Sequence, residues 1–282
     1  MMDMMRFVTQ MRLALRQCGR VAVALQGQVA TEYKVPDSRH QQSTAVSVVD
    51  RVCQEILLLA AAQMAPELVL YSEELAACPR ELQELFSQRS SYELVVDPVD
   101  GTDDYLAGRS SYGHMVGLLD LETGRFDLGM LYFAATGVLV WGLRGMGTFI
   151  ERGFGGLPQR LDRVDAPRSA TEVKRMREAD RSALEGLDLA MTPNSGASVA
   201  YLVWRLLMGE TGVVVLRQFH GHDSGPGSVL VEELGGAMLA ADGDPVRYDP
   251  NMARVPLVVA SSDAALAREV VAALVGGEGR AL

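Results

Sequence analysis

Residues 92–104 read Tyr92-Glu93-Leu94-Val95-Val96-Asp97-Pro98-Val99-Asp100-Gly101-Thr102-Asp103-Asp104. The apolar run from Tyr92 to Val96 predicts a strand that stops at Asp97-Pro98, because proline removes a backbone donor and fixes φ, turning the chain. Four carboxylates then fall within eight residues, at Asp97, Asp100, Asp103 and Asp104. Clustered acids repel one another, an arrangement that costs stability unless cations sit among them. The turn allows Asp97 and Asp100 to face one point with the Val99 carbonyl between them. Gly101 permits close backbone approach, and a helix starting near Thr102 would aim the amides of Gly101 and Thr102 at an anion. Oxygen-only ligands suit a hard cation such as Mg²⁺. An Asp/Gly turn taken alone is more often a solvated loop. Two distant acid sites shift the balance: Glu73-Glu74 follows a short apolar run at 68–71, and Asp223 lies in Gly221-His222-Asp223-Ser224-Gly225-Pro226-Gly227, read as a loop-to-helix junction.

Working outward, apolar spacing predicts helices over 5–26, 49–64, 198–208, 227–234 and 264–275, a weak one over 81–88, and a polar surface helix over 167–184. Strands are predicted at 68–71, 113–120, 126–133, 138–143, 188–191, 212–216, 237–239 and 257–260. Turns at Thr123-Gly124 and Thr136-Gly137 make 113–143 an antiparallel meander, while 34–43 and the glycine patterns Gly145-Met146-Gly147 and Gly153-Phe154-Gly155-Gly156 read as loops. Helices and strands alternate around an antiparallel patch, which is a mixed α/β or layered α+β architecture. No repeat or linker divides the 282 residues, so one domain over 1–282 is expected, long enough to bury about three quarters of the surface its unfolded chain exposes.

With 26 Lys and Arg against 36 Asp and Glu, the net charge is −10, which argues against nucleic acid or an anionic membrane as the main partner. Lys34 and Lys174 are the only lysines, so chemistry needing a catalytic lysine is nearly excluded. Cys18, Cys53 and Cys78 have neither zinc spacing nor a disulfide framework, and with no signal-peptide layout at Met1–Arg6 they suggest a reducing cytoplasm. The apolar stretch 128–143 carries three glycines and is too short to span a membrane. No Gly-Lys-(Ser/Thr) loop or Gly-x-Ser-x-Gly elbow occurs.

Four pieces in order carry a resemblance: Ser47-Val48-Val49-Asp50, Ser72-Glu73-Glu74, Asp97-Pro98-Val99-Asp100-Gly101-Thr102, and Asp223-Ser224-Gly225-Pro226-Gly227 followed by Glu233-Leu234-Gly235-Gly236. Over roughly residues 5–275 the sequence resembles the inositol monophosphatase superfamily of Mg²⁺-dependent, lithium-sensitive phosphatases, which includes fructose-bisphosphatases and bisphosphate nucleotidases. The resemblance implies a layered αβαβα sandwich. An N-terminal metal-binding half would cover about 1–150, with a C-terminal substrate half over about 151–282. The implied function is hydrolysis of a small phosphate monoester by a metal-activated water, in a cytoplasmic homodimer.

It also implies roles. Glu73, Asp97 and the Val99 carbonyl would hold one Mg²⁺, Asp97, Asp100 and Asp223 a second, and Glu73 would help hold a third. Thr102, bonded to Asp50, would orient and deprotonate the attacking water, with Glu74 in support. Gly101 and Thr102 amides would hold phosphate oxygens, and Ser195, Gly196 and Ala197 would lie near substrate. Candidate substrates are an inositol phosphate, a sugar phosphate, histidinol phosphate or a 3′-phosphoadenosine nucleotide.

The departures are specific. Ser47 replaces Thr, His222 replaces Trp, Gly225 replaces Ala, and Asp103-Asp104 adds charge at the phosphate end. The acid that grips an inositol hydroxyl would fall at Leu216, where there is none, so Arg217, His220 and His222 are the alternative candidates for the leaving-group side. His220-Gly221-His222 is also a His-x-His pair of the kind that binds transition metals, although no further nitrogen or sulfur ligand has matching spacing. His40 and His114 read as structural or solvated. A second reading is a phosphatase fold that has lost turnover and binds a phosphorylated ligand or partner; the water-activating Thr102 argues against it.

Overall fold

The computed structural model describes residues 2–33, 45–153, 155–171, 176–192 and 198–276. In chain order the elements are α1 (Met4–Leu25), β1 (Glu32–Tyr33), β2 (Ala45–Val46), α2 (Val48–Ala62), β3 (Val69–Ser72), α3 (Arg80–Gln83), β4 (Tyr92–Asp100), α4 (Thr102–Leu106), β5 (Gly113–Asp120), β6 (Arg125–Phe133), β7 (Val138–Leu143), β8 (Gly147–Arg152) and β9 (Gln159–Arg160). The second half contributes β10 (Ser169–Thr171), α5 (Glu178–Glu185), β11 (Ala190–Thr192), α6 (Val199–Leu207), β12 (Val213–His220), α7 (Gly221–Glu233), β13 (Ala237–Leu239), β14 (Arg254–Ser261) and α8 (Ala264–Gly276).

These build five layers. A seven-stranded sheet runs β3-β4-β5-β6-β7-β8-β9, antiparallel except for the parallel β3–β4 pair, and a five-stranded sheet runs β11-β10-β12-β14-β13. Helices α1 and α2 cover the outer face of the large sheet, α6 and α7 fill the space between the sheets, and α5 and α8 cover the outer face of the small one. The architecture is the layered αβαβα sandwich of the α+β class.

Local chemistry explains the outer helices. The Asp3 carboxylate caps α1 by accepting from the Arg6 amide at 3.1 Å, and Phe7, Met11, Leu15 and Cys18 form a fully buried stripe. Each large apolar side chain buried in this way contributes about 1.5–3 kcal/mol. The buried Glu151 of β8 accepts from Arg16 and from the Trp141 indole at 2.9 Å and pairs with Arg12 at 2.6 Å, which ties α1 to the far side of the sheet.

Helix α7 is buried along nearly its whole length, and its approach to the large sheet requires glycine opposite it. A Cβ on Gly129 would stand 1.8 Å from the Pro226 carbonyl oxygen, and one on Gly225 would stand 2.1 Å from the Phe126 ring. Cys18, Cys53 and Cys78 are buried free thiols. Among the described residues no helix is long and apolar enough to cross a membrane.

Several sequence expectations are corrected. The strand expected to stop at Asp97 continues through Pro98 to Asp100, its register against β5 shifting between Asp97 and Asp100, so the bulge accommodates the proline. Strand β8, over residues given no reading in the sequence, pairs with β7 across a hairpin turn at Gly145-Met146, in keeping with the turn expected there. The helix expected over 167–184 is a strand, β10, and then the shorter α5; β10 is held between β11 and β12 by sheet pairing that three residues cannot advertise. Helix α7 begins at Gly221 rather than 227, with Pro226 inside it, because burial between two sheets overrides the low helix propensity of Gly and Pro. The predicted loop at 34–43 lies outside the described residues.

Candidate active site

The site forms where β3, β4 and α2 meet the N-terminus of α7. Asp97 and Asp100 lie on either side of the bulge at the end of β4, and Gly101, at φ +90°, turns the chain into α4, whose first residue is Thr102. Gly101 is required both for that conformation and for space, since a Cβ there would be 2.8 Å from the Ser198 Cβ. The Val99 amide donates to Asp97 Oδ1 at 3.1 Å, which fixes the turn.

Asp97, Asp100 and Asp223 each offer a carboxylate oxygen, and these oxygens lie within 4.8 Å of one another; Glu73, Asp97 and His222 form a second group by the same measure. Asp223 is held by the His220 amide, which donates to Oδ2 at 3.0 Å. Asp100 Oδ2 accepts from the Ala200 amide at 2.5 Å, in the first turn of α6. Thus the C-terminal half completes a site begun on β4.

The second feature is a hydroxyl on a buried acid. Thr102 Oγ1 lies 3.0 Å from Asp50 Oδ1 and 3.0 Å from the Val99 carbonyl oxygen, and its single proton can serve one acceptor at a time. Asp50 sits in the first turn of α2, where Oδ2 accepts from the Ser47 amide at 2.8 Å and from the Ser47 hydroxyl at 2.7 Å, a capping box that also fixes the carboxylate. Burial, opposed by the Ser47 hydrogen bonds and reinforced by the charge of Glu73, pushes the Asp50 carboxyl up to about 6. Burial followed by the charge of Asp223 pushes Asp100 up to about 8. Asp97 is raised well above the carboxylate range by burial and then by Glu73, Asp100 and Asp223. Like charges held this closely in a buried place are what a divalent cation relieves, so the residues present fit a hard cation.

The other predicted residues are placed as follows. Glu74 is buried, and its backbone carbonyl accepts from Gln54 Nε2 at 3.1 Å; it belongs to neither acidic group. Arg217 grips Asp180, with Nε–Oδ2 and Nη2–Oδ1 both at 2.7 Å, while Arg177 holds the same carboxylate. His220 accepts from Arg254 Nε at its Nε2, 3.1 Å away, so its Nδ1 carries the proton facing the Met252 carbonyl at 3.2 Å. The His-x-His pair therefore does not turn both rings to one point; the rings stack, 5.3 Å apart. Ser195, Gly196 and Ala197 lie outside the described residues. Asp104 does not add a bare charge at the phosphate end: it turns inward to Arg109 (Nε, 2.8 Å) and Ser111 (Oγ, 2.6 Å). Sequence reasoning passed over Tyr71, whose hydroxyl meets His222 Nδ1 at 3.0 Å; its position two residues before Glu73 was the available signal. Ala200, whose backbone amide contacts Asp100, has no side-chain signature.

The family profile described as "Inositol monophosphatase family" matches residues 7–276. The chain belongs to the inositol monophosphatase family. Among curated proteins, a histidinol-phosphatase from Chlorobaculum parvum is 29% identical over 133 residues, covering 47% of this chain and 46% of that protein. The chain thus matches about half the length of that curated relative. Among solved structures, the inositol monophosphatase from Anabaena (Nostoc) sp. PCC 7120 superposes with a TM-score of 0.71 at 19% identity, covering 97% of each chain. An IMPase/NADP phosphatase complexed with Mg²⁺ and phosphate gives 0.68 at 18% identity, covering 91% of each. At these identities the structural likeness concerns the fold.

Proposed function

We propose that this inositol monophosphatase family member hydrolyses a small phosphate monoester, using two or three Mg²⁺ ions held by Glu73, Asp97, the Val99 carbonyl, Asp100 and Asp223. The observation that carries the reading is the convergence of Asp97, Asp100 and Asp223 within one ion's reach, from elements far apart in sequence. When bound there, divalent cations neutralise phosphate charge and make water acidic enough to attack near neutral pH.

The chain's own residues do the rest. Asp50 accepts the Thr102 hydroxyl proton in a hydrogen bond, which leaves the Thr102 lone pairs to receive the proton of the attacking water and orient it. The first amides of α4 lack helical partners, so those of Gly101 and Thr102 are assigned to the phosphate oxygens. Glu74 is assigned a positioning role beside Glu73. The leaving-group side falls to Ser195, Gly196, Ala197 and His222, with Arg217 and His220 shaping it through Asp180 and Arg254.

Leu216 is buried in the core, so no acid grips an inositol hydroxyl from that position. Histidinol phosphate therefore heads the substrate panel, in keeping with the name of the curated relative, followed by sugar phosphates, inositol phosphates and 3′-phosphoadenosine nucleotides. The arrangement of Thr102 on Asp50 favours turnover over the ligand-binding alternative, because a binder has no use for it. Inhibition by Li⁺, a cytoplasmic location and a homodimer are carried by the family resemblance and are checked by Li⁺ titration, fractionation and light scattering. The deciding experiment is phosphate release across the panel with Mg²⁺ and with EDTA. Mg²⁺-dependent turnover lost in Asp97→Asn and Asp223→Asn supports the reading, and metal-independent turnover or full activity in Asp97→Asn overturns it.

A further inference from the structure

Among the described residues His222 is the one nitrogen donor grouped with the acids of the site, and Tyr71, His220 and Asp223 surround its ring. Tyr71 approaches Nδ1 at 3.0 Å and lies nearly parallel to the ring, with centroids 5.6 Å apart and an angle of 26°. His220 stacks on it at 5.3 Å and 11°, and His220 is itself fixed by Met252 and Arg254. The remaining nitrogen, Nε2, lies 3.3 Å from Asp223 Oδ1. A ring nitrogen of His222 also falls within 4.8 Å of carboxylate oxygens of both Glu73 and Asp97.

We infer that His222 is a metal ligand, supplying a nitrogen donor beside Glu73 and Asp97, and that it biases this position toward Mn²⁺ and the later transition ions over Mg²⁺. This inference rests on the reading of the acidic groups as a cation site. A neutral imidazole has one N–H and one lone pair. In the tautomer that donates Nδ1–H to the Tyr71 oxygen, the lone pair is on Nε2, on the side of Asp223; a hydrogen-bonding partner on the second nitrogen is the usual means of orienting a ligating histidine. The 3.3 Å between Nε2 and Asp223 Oδ1 places that nitrogen on the acidic side of the pocket, next to the group formed by Asp97, Asp100 and Asp223. Imidazole suits transition ions, whereas Mg²⁺ favours carboxylate, carbonyl and water, and affinity at a mixed N/O site rises from Mn²⁺ through Co²⁺ toward the later ions. The competing arrangement, an imidazolium paired with the Asp223 carboxylate, would leave Mn²⁺ and Mg²⁺ equally affected by loss of the ring.

The test uses Mn²⁺ bound to the full-length protein, read by electron spin-echo envelope modulation, with Mn²⁺ and Mg²⁺ affinities from calorimetry. The expected result is ¹⁴N modulation in the wild type that persists in His220→Gln and disappears in His222→Gln. His222→Gln should also lose roughly tenfold or more in Mn²⁺ affinity, with a smaller loss for Mg²⁺. Tyr71→Phe keeps the ring stack, removes only the orienting hydroxyl, and should weaken Mn²⁺ binding by a lesser factor; it decides the matter should His222→Gln fail to fold. Stoichiometric Mn²⁺ binding without ¹⁴N modulation, or modulation unchanged in His222→Gln, overturns the inference and leaves the proposed phosphatase intact. Absence of any Mn²⁺ or Mg²⁺ binding overturns both.

Discussion

Thr102 Oγ1 stands 3.0 Å from Asp50 Oδ1, joining the first turn of α4 to the first turn of α2 across 52 positions of sequence. Removing this hydroxyl removes the group proposed to orient water without touching any carboxylate of the proposed cation site. Thr102→Ala should lower kcat by about 10²–10⁴-fold, the range of a general acid–base contribution, while metal affinity measured by calorimetry stays within a factor of a few. Thr102→Ser, which keeps the oxygen, should recover most of the rate. Equal activity in Thr102→Ala and wild type would remove Thr102 from the mechanism.

Cation binding should stabilise the protein, and more so at pH 8 than at pH 5. The carboxyls of Asp97 and Asp100 are raised, so at pH 5 they hold protons with which an ion must compete. At a hundredfold excess over Kd the gain is about 2.7 kcal/mol, or roughly 5–10 °C in Tm for a chain of this size. Thermal denaturation with Mg²⁺ and with EDTA at the two pH values checks this.

Glu93 offers a pH effect away from the site. It is buried near the start of β4, its Oε2 has no hydrogen-bond partner among the described residues, and burial followed by the charge of Asp249 pushes its carboxyl up to about 8. The unfolded chain titrates this group near about 4.3. The folded state therefore binds the proton more tightly, and the stability this gives is fully present below about pH 4 and is lost as pH rises through about 8. Glu93→Gln should be the more stable protein at pH 9, by on the order of 5 °C, with the difference shrinking toward pH 6. A Tm difference independent of pH would show that Glu93 titrates normally.

Gly129→Ala should be destabilising by about 1–3 kcal/mol or more, because its Cβ meets the Pro226 carbonyl at 1.8 Å and neither backbone can yield easily. Pushing α7 away also moves Asp223, so activity should fall further than stability alone explains. Gly155→Ala, with nothing within 4 Å of its Cβ, is the matched control and should be neutral. Denaturant unfolding of the two variants, with phosphate release alongside, reads the contrast.

The site was more legible in sequence than the elements that carry it. Asp97, Asp100 and Thr102 announce themselves because acids rarely follow an apolar strand so densely, and Glu73 and Asp223 stand at similar ends. The fold's layers followed from alternation of helix and strand together with the family resemblance. What stayed hidden depends on distant neighbours. Pro226 and three glycines disguise the first turns of α7, since their helical state is imposed by the two sheets around them. Ser169–Thr171 is too short to show a period. The pairing of Arg217 with Asp180 joins groups 37 positions apart, and the departure at His222 was visible as a residue while its placement between Tyr71 and His220 was not.

Helix α7 is packed between both sheets and carries Asp223 to Asp97 and Asp100, so the three carboxylates meet only in a chain whose two halves have come together. On the proposed reading, a chain that has formed only the large sheet holds Asp97 and Asp100 without Asp223, an incomplete set of the proposed ligands. Metal occupancy should therefore report completed assembly, the final ligand arriving as the last interior layer locks into place.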